Sequence, residues 1–511
     1  MKFPLRKILP ALLLVLVVIS AVGQELDLAS FEKHITVKKL DNGLTIVVMQ
    51  RPEAPVFSFY TIVDAGSVQD PQGQTGLAHM FEHMAFKGTP AIGSTDWPAE
   101  KAALEKVEAT YAAYRAEKYK TVGRDENKVK QLEQAWKDAI AHAQQYVVPN
   151  EYDQILESNG GRGVNAFTSY DETAYHYSLP SNRMELWAYL ESERFLHPVM
   201  REFYKERDVV MEERRMRTDS QPIGRLIEQF LGESFASYPY HRPTVGYFSD
   251  LNYFSATDAR VFFDQYYVPA NMVVAIVGDV NPAEVISVVE KYFGRLPARP
   301  QPPPVHTTEP SQDSERKVEL LETTQPFYLE GYHRPNYRDP DDAVYDAITD
   351  LMSNGRTSRL FRALVRDKKI AAEAEGFSGF PGNKYQHLFA FDAIPVPGHT
   401  PEEMRKAVQE EIERLKTNDV TDEELKMVKT RAKANLIRGL ADNAGMAFQL
   451  ALYQLRYGDW RELFRQVDRI DKVSKEDIRR VANKTFQPTN RTVGVIQTKP
   501  GAASPQGEKE Q

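Results

Sequence analysis

The sequence predicts an α+β protein made of two tandem homologous α/β sandwich domains, each an antiparallel-rich mixed sheet with helices packed on it. Three observations carry this. The 511 residues exceed what one ordinary core holds, and 42% hydrophobic with 11% aromatic residues is ample for packed interiors. Ser255 to Val277 matches Ser474 to Ile496 without a gap at an offset of 219 residues. Between the two copies, Pro297, Pro300, Pro302, Pro303, Pro304 and Pro310 make a stiff, extended linker rather than a packed element.

Lys2, Arg6 and Lys7 precede an apolar run from Ala11 to Val22, and Ala21 and Gly23 are the small residues a signal peptidase reads. Cleavage is expected near Gln24, giving a periplasmic or secreted protein. An uncleaved membrane anchor is the second choice, because the run is short for a bilayer span. Removing the three basic residues of 1–23 leaves 61 basic against 72 acidic residues, a net charge of −11. No nucleic-acid partner is expected from that balance.

Val37 to Leu40 and Leu44 to Met49 flank an Asn-Gly turn and read as a β-hairpin, with a further strand from Val56 to Val63. The charged, alanine-rich block from Ala99 to Val148 breaks at Gly123-Arg124-Asp125 and reads as two antiparallel helices, mostly solvated. In the repeat, Ser255/Ser474, Asp258/Asp477, Arg260/Arg479, Pro269/Pro488, Asn271/Asn490 and Val274/Val493 are identical. Both copies read as a helix capped by serine, a Pro-x-Asn turn and a buried strand. The divisions are a signal peptide at 1–23, a first domain at 24–296 with a helical insertion at about 99–148, a linker at 297–315, a second domain at 316–497 and a disordered tail at 498–511.

There are no cysteines, so a metal would be held by His, Asp and Glu. His79-Met80-Phe81-Glu82-His83 has the order H-x-x-E-H in a helical pattern that runs to Gly88. At about 100° per residue the three polar groups project from one face. Two neutral imidazoles one turn apart suit zinc, and a carboxylate beside them can take a proton from water. In a second charged helix, Glu206 and Glu213 are seven residues apart and share a face, whereas Glu212 points away. Either glutamate could ligate, with the other holding a ligand histidine by a hydrogen bond.

The H-x-x-E-H motif before Gly88-Thr89, the segment Gly160 to Ser169 followed by Glu172-Thr173-Ala174-Tyr175, and the Glu206/Glu213 helix resemble the pitrilysin/insulinase family of zinc peptidases, most nearly its bacterial processing-peptidase-like branch. The resemblance spans about residues 32–497. It implies one Zn²⁺ per chain, His79, His83 and Glu213 as its ligands, Glu82 as general base acting on the zinc-bound water, and Glu206 behind the ligands. It also implies that Asn165, Ala166 and Phe167 lie on an edge strand that receives a peptide backbone. The chain would then be half of a clamshell chamber, an exported endopeptidase acting on peptides or unfolded polypeptide segments.

Two features depart from that family. The separation of His83 and Glu213 is longer than usual, which makes the 99–148 block an insertion, a lid or partner surface. Family members often carry an Arg and a Tyr seven residues apart in the second domain; here Arg366 is present, but the later position is Glu373. The expected partner is a similar chain lacking H-x-x-E-H that supplies the missing pair in a heterodimer, with a homodimer using Arg366 as second choice. In the second domain, Asp346, Thr349 and Asp350 fall opposite His79, Glu82 and His83, so no metal site is expected there. His142, His176 and His241 are given no role. A non-catalytic peptide-binding or assembly subunit is the alternative function, but such a chain would be expected to lose the ligands retained here.

Overall fold

A computed structural model describes residues 28–499. The basic and apolar N-terminal segment, its cleavage point near Gln24 and the tail after Lys499 lie outside the described residues. Among the described residues, eleven strands form two sheets. The first contains β1 (Ile35–Lys39), β2 (Thr45–Gln50), β3 (Val56–Val63), β4 (Arg162–Thr168), β5 (Thr173–Pro180) and β6 (Met272–Gly278). The second contains β7 (Arg316–Glu322), β8 (Phe327–Arg334), β9 (Ala371–Phe380), β10 (His387–Pro395) and β11 (Arg491–Thr498).

The strand orders are β1-β2-β6-β3-β5-β4 and β7-β11-β8-β10-β9. Without β1 the two are the same topology. Each has one parallel pair, β2 with β6 and β7 with β11, and is otherwise antiparallel. The sequence repeat falls at equivalent places. Ser255 and Ser474 cap their helices in reciprocal pairs with Asp258 and Asp477. Asn271 and Asn490 each donate from Nδ2 to the carbonyl of the residue five before it, and both turns feed the strand at the centre of the parallel pairing.

The proline-rich segment carries no helix or strand and joins the two sheets. It is nevertheless tethered: Glu309 accepts hydrogen bonds from the backbone amides of Ala236, Ser237 and Tyr238. The strands divide at this segment, whereas the cores do not. Helix Pro222–Ser234, from the first half, lies on β7 and β11 of the second sheet, burying Leu226 and Phe230 against Leu329, Leu388 and Ile496. Helix Asn443–Tyr457, from the second half, lies on β3 and β6 of the first sheet, burying Ala447, Leu450 and Ala451 against Val47, Ile62 and Val273. Gly494 is needed for the close approach, because a Cβ there would stand 3.0 Å from the Phe230 ring.

The helical block forms Trp97–Lys118 and Glu126–Gln144, two antiparallel helices as expected. Most of their surface is solvated, as expected, and one face of each packs inward. Ala103, Val107, Tyr111, Tyr114, Val129, Ala139 and Ala143 are buried in the first core, so the hairpin is not a free-standing lid. The physical reason is an aromatic and small-residue stripe that closes over the glutamate helix, with Trp136 stacked on Tyr114 at 5.4 Å.

Candidate metal centre

Helix Leu77–His83 begins at Gly76, whose φ of +97° suits glycine. Asp70 caps it, accepting from the Gly76 and Ala78 amides at 2.7 and 2.9 Å. Burial pushes the Asp70 carboxyl up to about 7 against those two hydrogen bonds. Leu77, Ala78, Met80 and Phe81 anchor the other face in the core. The helix stops at His83, a turn short of the expected glycine, and Gly88 takes φ +86° in the tight loop that follows. Helix Phe203–Arg214 carries Glu206 and Glu213 and is held from behind by the helical hairpin. Arg207 donates to Tyr111 Oη at 2.8 Å and Tyr204 Oη to Glu108 at 2.6 Å.

These helices bring five of the sequence-selected groups together. Glu213 Oε2 lies 3.1 Å from Nε2 of both His79 and His83. Glu206 Oε2 lies 3.6 Å from His83 Nδ1, and Glu82 Oε2 lies 3.3 Å from His79 Nδ1. Of the two glutamates left open by spacing, Glu213 therefore faces the imidazole nitrogens directly and Glu206 stands behind His83. Glu212 points away and pairs with Arg215.

The donor set fits zinc. Ligands at 2.0–2.1 Å in tetrahedral geometry stand about 3.3 Å apart, close to the Nε2 to Oε2 separations found here. Among the described residues, His79, His83 and Glu213 are the group whose candidate ligand atoms all lie within 4.8 Å of one another. Burial opposes charge on His83, but Glu206 and Glu213, accepting from its ring, outweigh it and raise the imidazole to about 9. His79 is raised by the same balance against burial, through Glu213 and Glu82. Burial also opposes charge on Glu213, yet the two imidazoles hold its carboxyl well below the usual range.

Glu82 opens onto a cleft of about 540 Å³ lined also by His79, Phe167, Tyr170, Glu213 and Pro381. Of the expected peptide-contacting residues, Asn165 is exposed on β4, which pairs only with β5 and so presents a free edge. Phe167 reaches the cleft, whereas the Ala166 side chain is buried in the first core, leaving only its backbone for a peptide. Arg366 is not brought to this cleft: its side chain is exposed and paired with Asp367 at 2.6 Å. Glu373 lies on β9, opposite Ile394.

Sequence reading missed two cations. Lys87 Nζ lies 2.5 Å from Glu206 Oε1 and Arg217 Nη1 lies 2.6 Å from Glu213 Oε1. The fourth-residue spacing of Arg217 from Glu213 was the available signal; Lys87 lies past the helix end, where periodicity says nothing. His241, given no role, lines the cleft. In the second half, Asp346 is held by Gln466 at 2.7 Å and Asp350 by Arg431 at 3.1 Å, so both carboxylates are committed to protein partners.

The chain matches two family descriptions: "Insulinase (Peptidase family M16)" over residues 45–122 and 139–246, and "Peptidase M16 inactive domain" over 253–432. The unmatched stretch 123–138 runs from the hairpin turn through the first thirteen residues of helix Glu126–Gln144. The zinc protease PqqE of Helicobacter pylori is 28% identical over 469 residues, covering 90% of this chain and 92% of the relative. An uncharacterized zinc protease of Mycobacterium leprae is 25% identical, covering 87% of each. Among solved structures, a protease from Helicobacter pylori superposes with a TM-score of 0.74 at 26% identity, covering 91% of this chain and 99% of that one. The first half of the periplasmic protease PqqL from Escherichia coli, at 17% identity, shares the fold, with a TM-score of 0.65 and coverage of 91% and 92%. Among the described residues no helix is long and apolar enough to cross a membrane.

Proposed function

This chain belongs to the insulinase (M16) peptidase family, and from that premise we propose that it is a zinc-dependent endopeptidase acting on peptides or unfolded polypeptide segments. The observation that carries the reading is the convergence of His79 Nε2, His83 Nε2 and Glu213 Oε2 beside Glu82, at the edge of an open cleft. His79, His83 and Glu213 would hold the ion, which when bound supplies Lewis acidity toward a carbonyl and acidifies water.

The remaining steps belong to side chains and backbone. Glu82 takes a proton from the attacking water and delivers it to the leaving amine. Glu206, with Oε2 3.6 Å from His83 Nδ1, is placed to draw the ring proton to Nδ1 and so leave Nε2 as the nitrogen that would ligate. The free edge of β4 near Asn165 receives the peptide as an added strand, and Phe167 packs beside it from the cleft wall. These positions hold the scissile bond near Glu82 and exclude water from its flanks.

The same reading includes export through the N-terminal segment and work as one half of a two-chain chamber. Glu373 at the position expected for tyrosine supports a heterodimer, because a carboxylate cannot donate a hydrogen bond to a developing oxyanion. A non-catalytic peptide-binding subunit is disfavoured by the retained donor set. Metal analysis combined with chelator-sensitive cleavage of an unstructured peptide tests the choice: stoichiometric zinc and hydrolysis are expected, and binding without hydrolysis, with or without a partner chain, would favour the alternative.

A further inference from the structure

We propose that Lys87 is a positioning residue for the metal centre, locking Glu206 in the orientation that aligns His83. This rests on the zinc reading above. A carboxylate has two oxygens and a free torsion; it orients an imidazole only when the second oxygen is also fixed. In Glu206, Oε2 is 3.6 Å from His83 Nδ1 and Oε1 is 2.5 Å from Lys87 Nζ. The ammonium therefore holds the half of the carboxylate that the histidine does not.

Lys87 is itself fixed at both ends. Its backbone carbonyl accepts from Arg201 Nη1 at 2.7 Å, and Arg201 is buried against Glu100 on helix Trp97–Lys118. Its ammonium also lies 3.5 Å from Glu202 Oε2, while Glu202 Oε1 accepts from Gln144 at the end of helix Glu126–Gln144. Both helices of the hairpin thus reach the same lysine, one through its backbone and one through its head group. The hairpin becomes part of the scaffold that sets His83.

Arg217 makes a similar contact with Glu213 Oε1 at 2.6 Å, but its side chain is 75% exposed against 21% for Lys87. Solvent screening and side-chain entropy weaken the exposed pair, so the two cations differ in consequence.

The test is the zinc dissociation constant of the full-length chain, measured by competition with a chromogenic chelator. Lys87→Met should weaken zinc binding by threefold or more, with about tenfold expected for loss of a group that orients a ligand. Lys87→Arg should restore affinity to within threefold of the parent, and Arg217→Gln should stay within threefold. Should Lys87→Met fail to fold, Lys87→Gln replaces it under the same thresholds. A neutral variant within threefold of the parent, an arginine variant as weak as the neutral one, or an equal loss in Arg217→Gln would each overturn the inference. Failure of the unmodified chain to bind zinc would instead overturn the underlying zinc reading, and the positioning role with it.

Discussion

Arg201 and Glu100 form a buried two-pronged pair: Nε meets Oε1 at 2.6 Å and Nη2 meets Oε2 at 2.8 Å. The remaining donors of Arg201 hold the carbonyls of Lys87, Thr89 and Ile92, the loop that leaves helix Leu77–His83. One guanidinium thus joins the helical hairpin to the candidate metal centre. Removing one partner strands a charge out of water, so Arg201→Met should lower stability by about 3–5 kcal/mol. Urea unfolding checks this, and a loss below about 1 kcal/mol would show that the hairpin is not braced through this pair.

The three neighbouring glutamates should separate in zinc affinity. Glu213→Gln takes away the charge of the carboxylate whose Oε2 lies 3.1 Å from both histidine Nε2 atoms and should cost more than about 100-fold. Glu206→Gln should cost about 10–100-fold. Glu212→Gln, whose parent side chain pairs with Arg215 away from the site, should change nothing measurable. Chelator competition on the three variants would contradict the arrangement if Glu212 mattered as much as Glu213.

The exchanged helices predict shared stability. Phe230 is fully buried on the second sheet although it comes from the first half, and Phe230→Ala should cost about 3–5 kcal/mol. Calorimetry of the variant should show one transition shifted down as a whole. A second-half transition that moves while a separate first-half transition stays in place would contradict the exchange.

Burial pushes the His387 imidazole down to about 3, reinforced by the nearby Arg334 guanidinium and opposed by its contact with the Tyr385 carbonyl. The folded chain therefore refuses a proton that the unfolded chain accepts below its ordinary value of 6.5. Stability from this group is complete above pH 6.5 and is lost as pH falls toward 3, at about 1.4 kcal/mol per pH unit. Urea midpoints between pH 7 and 4 should fall less steeply in His387→Gln than in the parent; equal slopes would contradict the assignment.

Features governed by local rules were legible in the sequence. Ser255 and Ser474, with an aspartate three residues on, announced two equivalent helix starts, and the spacing of His79, Glu82 and His83 announced one polar face. Seven-residue spacing puts Glu206 and Glu213 on one helix face, but periodicity leaves their roles open, because roles depend on which carboxylate meets Nε2. The helix exchange was not legible: Ala447, Leu450 and Ala451 specify an apolar face without saying which sheet it covers. Nor was the buried end of Glu100, whose partner lies 101 residues away. Ala166 shows the remaining limit, since strand alternation on an edge decides inward from outward only once register is known.

The most direct test of the peptidase reading is Glu82→Gln, assayed with the chain in its active assembly on an unstructured peptide. Zinc content should stay near one ion per chain while turnover falls by about 10²–10⁴-fold, the range for losing a general base. Hydrolysis within tenfold of the parent, with zinc retained, would contradict the role of Glu82 and with it the proposed mechanism.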